Sequence, residues 1–107
     1  MAVVSHVFPA PPVAVWQALP TGTWALGGQF PRYDQYGGTL EFRTGITVLT
    51  WGQVIRVRLE PVPEGTGVTV STSMKFGLID WGEGKSLCHS FLSAVDRHLR
   101  RAPPQHY

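Results

Sequence analysis

The strongest constraint on this chain is its last third, residues 66–101. Val68, Val70, Thr72, Met74 and Phe76 alternate with smaller or polar residues, the period of a half-buried strand. The short link Gly77-Leu78-Ile79 then leads to Asp80-Trp81-Gly82-Glu83. An Asp N-cap with Glu three positions later can satisfy two helix-end N–H groups reciprocally. Beyond it Leu87, Cys88, Phe91, Leu92, Val95 and Leu99 recur at spacings of three and four, with Lys85, Ser86, Ser90, Ser93, Asp96, Arg97 and Arg100 between them. That pattern predicts a long helix with one apolar stripe. A stripe of this length needs a broad apolar surface beneath it, and in 107 residues only a sheet can supply one.

The rest of the chain reads as that sheet. Residues 2–8 alternate as a strand, with Val3, Ser5 and Val7 on one side and Val4, His6 and Phe8 on the other. Pro9-Ala10-Pro11-Pro12 stops the strand, and Pro12 is preorganised to open a short helix through Leu19, closed by Pro20, with Val13 (or Pro12), Trp16 and Leu19 inward. Residues 29–34 suit an edge strand, where Pro31 is tolerated. Gln35-Tyr36-Gly37-Gly38 reads as a hairpin turn into residues 39–44, with Leu40 and Phe42 inward. A short run at 46–50 is broken at Trp51-Gly52. Residues 53–61 set Ile55, Val57 and Leu59 against Arg56, Arg58 and Glu60, and a loop over 63–67 returns the chain antiparallel. The expected class is α+β: a curved antiparallel sheet of about five strands gripping a long C-terminal helix, in the order β-α-β(4)-α. Residues 1–101 are expected to form one domain, with 102–107 a frayed tail.

Composition removes several function classes. The formal charge is +2, but residues 1–95 balance six basic against six acidic groups. The excess comes from Arg97, Arg100 and Arg101, at the end of the predicted helix, where cations complement the helix dipole. No wide basic face remains for a nucleic acid. No apolar run approaches the roughly 20 residues of a membrane span, and the first residues lack a signal-peptide pattern, so a cytoplasmic location is expected. The lone Cys88 sits on the apolar stripe and reads as a small buried hydrophobe.

The order of elements, with the run Pro12-Val13-Ala14-Val15-Trp16-Gln17-Ala18-Leu19 after a first strand, resembles the opening of the helix-grip proteins of the START and polyketide-cyclase type, the SRPBCC superfamily. Trp51-Gly52-Gln53, Gly65-Thr66-Gly67-Val68 and Asp80-Trp81-Gly82 with Lys85 resemble, more narrowly, a small bacterial group of uncharacterised proteins of this shape. The resemblance implies an internal cavity for lipids, sterols or polyketides. This chain is shorter than typical members, and residues 21–28 leave little room for a second small helix.

Chemistry-bearing constellations are thin. His6, His89, His98 and His106 have no metal-ligand spacing, and no Cys or carboxylate pattern completes a site. Cys88 and His89 are adjacent on a helix and point about 100° apart, a poor nucleophile–base pair. His6 shares a strand face with Val4 and Phe8, so it can contact a ligand or act as a base, or be a hydrogen-bonded core or edge histidine. Arg56, Arg58 and Arg43 read as a solvated outer face with cross-strand charge pairs. Gly82, Gly84 and Lys85 do not make a phosphate loop.

Two readings follow. The first is a non-enzymatic module binding a small apolar ligand between helix and sheet. Its expected contacts are Phe42, Ile55, Val57, Met74, Phe91 and Val95, with Trp16 and Trp24 near a mouth; no cofactor, metal or catalytic residue is expected. The second is an interaction or assembly domain with a filled core. Its partner, a second copy of the chain included, would meet a sheet edge or the Trp-rich loops. A hydrolase or cyclase ranks third, because no acid–base constellation is visible.

Overall fold

The computed structural model describes residues 2–45, 52–74 and 83–101. In chain order they form β1 (Ala2–Phe8), α1 (Pro12–Ala25), β2 (Gln29–Asp34), β3 (Thr39–Arg43), β4 (Gln53–Val62), β5 (Gly65–Met74) and α2 (Glu83–Arg101). The five strands make one antiparallel sheet in the spatial order β1-β5-β4-β3-β2. The class and order expected from the sequence are those observed. The expected short strand at 46–50, Trp51, the cap residues Asp80 and Trp81, and the tail at 102–107 lie outside the described residues.

Alternation decides which side chains line the sheet's inner face. Leu40 and Phe42 of β3, Ile55, Val57 and Leu59 of β4, and Val68 and Val70 of β5 are all buried. The partners across the ladders agree: Leu40 faces Val57, Phe42 faces Ile55, and Val57 faces Val70. The intervening residues Arg56, Arg58 and Glu60 are exposed on the other face. α2 covers the inner face with the stripe read from its spacing, for Cys88, Phe91, Leu92 and Val95 are buried and Lys85, Ser86, Ser90, Ser93 and Arg97 are exposed. Each fully buried Phe, Leu or Val contributes roughly 1.5–3 kcal/mol by leaving water.

Three local expectations need correction. α1 does not end at Pro20; it continues through that residue to Ala25. Proline inside a helix forfeits one hydrogen bond and crowds the preceding turn. Here Pro20 is exposed, and the turns on either side are held by burial of Leu19, Gly22 and Thr23. The inward face of α1 is accordingly Val15, Ala18, Leu19, Gly22 and Thr23, while Val13 is exposed and Trp16 only half-buried. The β4–β5 connection is also tighter than the five residues expected. Only Pro63 and Glu64 turn, because Gly65 takes a φ of 145° and enters β5 at once.

The edge strand β2 pairs as its proline allows. Gln29 faces Arg43 and Arg32 faces Glu41, so Phe30 and Pro31 together oppose Phe42 in a β-bulge. Phe30 carries a φ of 53°, unusual for a bulky residue. The turn that follows is fastened by the Gly37 N–H donating to Asp34 Oδ1 at 3.1 Å, with Gly38 at a φ of 67°.

Candidate functional site

The seam between α2 and the sheet collects five of the eight residues expected to contact a ligand. Phe42 from β3, Ile55 and Val57 from β4, and Phe91 and Val95 from α2 are all at most 1% exposed. Phe42 and Phe91 meet across it with ring centroids 5.8 Å apart and planes inclined by 30°. α1 closes this pair from the side. A Cβ on Gly22 would lie 2.6 Å from Phe91 Cε2, and one on Gly28 would lie 2.7 Å from Phe42 Cδ2. Small residues are what allow the helix and the following turn to approach the two rings.

The remaining expected contacts lie elsewhere. Trp16 is half-buried on α1, edge-on to Tyr33 with centroids 5.9 Å apart. The Tyr33 hydroxyl donates to Thr23 Oγ1 at 3.3 Å, and Thr23 donates to the Leu19 carbonyl at 3.3 Å, which ties β2 to α1. Trp24 is 84% exposed on the outer side of α1, away from the seam. Met74 ends β5 opposite Gln53, and its side chain lies outside the described residues.

Gln53 is the seam residue that sequence reasoning passed over. It opens β4 two positions before Ile55, on the same inward face, and is 2% exposed. Its backbone is fully engaged: the Thr44 N–H donates to its carbonyl at 2.9 Å, and its own N–H donates to Thr44 Oγ1 at 2.9 Å. Its side chain is not, for among the described residues neither Nε2 nor Oε1 has a hydrogen-bond partner. Leaving such an amide unpaired in the interior costs roughly 1–3 kcal/mol. The signal was available in the sequence as a polar residue at an inward position of the cleanest strand.

Open grooves lie among the described residues on both faces of the sheet. One of about 300 Å³ runs between the β1 edge and α2, with His6 facing His89, Ser93, Asp96 and Arg100. His6 shares the inner face with Phe8, its ring edge-on at 4.6 Å, but it is exposed at the sheet's margin. A second, of about 410 Å³, lies between the start of α1 and the β2–β3 turn, lined by Val13, Trp16, Tyr36, Leu59 and Pro61 among others. The third, of about 590 Å³, is on the outer face of the sheet. There Glu41 lies 4.0 Å from Arg32 and 3.5 Å from Arg56, the cross-strand charge pairing expected of that face.

Cys88 is buried, its Sγ 3.5 Å from the Val70 carbonyl, and His89 beside it is exposed. Among the described residues no three His, Cys, Asp or Glu side chains gather as a metal site. None of the described helices is long and apolar enough to cross a membrane.

No protein-family model matches the sequence, and no curated protein matches it. Solved structures do. Protein MLL2253 from Mesorhizobium loti superposes with a TM-score of 0.64 over 95% of this chain and 98% of its own, at 17% identity. The di-domain ARO/CYC StfQ from the steffimycin biosynthetic pathway gives 0.70 over 94% of this chain and 45% of its own, at 12% identity. The AHSA1-like protein from Aeromonas hydrophila gives 0.59 over 99% and 97%, at 15% identity. Identities this low speak for the fold alone. The five-stranded antiparallel sheet gripping α2 is thus a small helix-grip fold, the shape these solved structures share.

Proposed function

We propose that this protein is a non-enzymatic binding module that takes up a small, uncharged, largely apolar ligand between α2 and the sheet. The observation that carries this reading is the convergence of Phe42, Ile55, Val57, Phe91 and Val95, from three separate elements, on one apolar seam. A helix lying on a sheet can part from it by a small rigid-body shift, because dispersion and apolar burial impose no fixed hydrogen-bond register between the two layers. The polar and charged side chains of the outer face and the β1 margin play no part in this mode. The solved structures of the same shape include the di-domain ARO/CYC StfQ from the steffimycin biosynthetic pathway, a likeness in line with a small organic guest in this kind of fold.

Native mass spectrometry of the purified protein tests the reading directly. The expected result is an added mass released by organic solvent but not by salt. An unliganded mass, together with no thermal shift from fatty acids, sterols or aromatic polyketides, would refute it. The second reading, an interaction module with a filled core, draws on the exposed aromatics Trp24 and Phe30, which are 84% and 75% exposed. Sedimentation of the protein over a range of concentrations checks its self-associating form.

A further inference from the structure

We infer that Gln53 is the polar anchor of the seam, and that the ligand is an aromatic molecule with a hydrogen-bond acceptor beside a donor on one edge, as in a primary carboxamide. This rests on the ligand-binding reading above and specifies the guest that reading leaves open. Three facts carry it. Gln53 is 2% exposed, and both polar atoms of its side chain lack hydrogen-bond partners among the described residues. The backbone bonds to Thr44 need no amide at this position, since they engage only main-chain atoms of residue 53. The inward register of β4 otherwise carries only Ile55, Val57 and Leu59, so an apolar side chain would serve packing equally well.

An unpaired buried amide in a well-packed protein calls for a partner that comes and goes. Thr72, an inward polar residue of β5, accepts from the Ala2 N–H at 3.3 Å through its Oγ1 and makes no bond to the Gln53 amide. A side-chain amide presents an N–H donor next to a carbonyl acceptor. Its complement is a group offering the same two functions in reverse, which a carboxamide does with both bonds parallel. The body of the guest is aromatic because Phe42, diagonal to Gln53 on the next strand, stands in ring contact with Phe91.

A matched pair of probes tests this, naphthalene and 2-naphthamide, titrated into the wild-type chain and into Gln53→Met and Gln53→Leu. Binding is read by calorimetry and by thermal shift. In the wild type the carboxamide should bind about tenfold more tightly than the hydrocarbon, as expected for a hydrogen-bonded pair made in an apolar interior. In Gln53→Met the preference should vanish while naphthalene affinity stays within about twofold. The unliganded melting temperature of that variant should rise, because an orphan amide has been removed. Gln53→Leu guards against a packing artefact and should behave alike. A carboxamide preference that survives in both variants, or a falling melting temperature with unchanged affinities, overturns the assignment and leaves Gln53 paired to internal water. Failure of both probes to bind the wild type instead defeats the ligand-binding reading, and the anchor falls with it.

Discussion

Gly22 of α1 lies so close to Phe91 of α2 that a Cβ at position 22 would come within 2.6 Å of the ring. The two helices therefore meet through a glycine seated against an aromatic face, and this contact sets how near α1 can come to the Phe42–Phe91 pair. Gly22→Ala should overpack it and cost roughly 1–3 kcal/mol. Phe91→Ala, which removes a fully buried ring, should cost about 3–5 kcal/mol. Denaturant midpoints of both variants check this. The double variant Gly22→Ala/Phe91→Leu should recover part of the loss, and simple additivity would show that the two residues do not press on each other.

Among the described glycines, Gly65 makes the closest backbone approach. A Cβ there would stand 2.1 Å from the Phe8 carbonyl oxygen, and its φ of 145° suits no other residue. Gly65→Ala should destabilise by about 2–3 kcal/mol, since both the β1–β5 pairing and the Pro63-Glu64 turn must shift. Thermal unfolding measures the cost, and amide exchange should show β1 losing protection first.

Phe30 offers the opposite case. It holds a φ of 53° before Pro31 while 75% exposed, so its ring returns little burial for a backbone strain of about 1–2 kcal/mol. Phe30→Gly should raise stability by roughly 0.5–1 kcal/mol after the added freedom of the unfolded chain is subtracted. A loss of stability in that variant would show that the aromatic ring itself holds the bulge.

The outer face should be energetically quiet. Arg56 and Glu41 are 3.5 Å apart with the arginine side chain 62% exposed, so solvent screens the pair strongly. Arg56→Ala should change stability by no more than about 1 kcal/mol. It should leave the affinity for an apolar probe unchanged in both low and high salt. Affinity that falls with ionic strength would move the binding site from the seam to this face.

Periodicity determined β3, β4, β5 and the buried stripe of α2, because alternation and the spacing of three and four record directly which side of an element meets water. Leu40, Phe42, Ile55, Val57, Phe91 and Val95 are buried where that rule places them. The end of α1, the exposure of Trp24 and the contact between Gly22 and Phe91 depended on the tertiary structure. Local signals at Pro20 favour stopping the helix, and only packing of Leu19, Gly22 and Thr23 against the core overrides them. Trp24 was expected near a mouth of the seam, but α1 runs past Pro20 and carries it on a face turned to solvent. The sequence placed Gln53 at the head of an apolar strand, but whether its amide would find a partner could be decided only by the neighbours that folding brings to it.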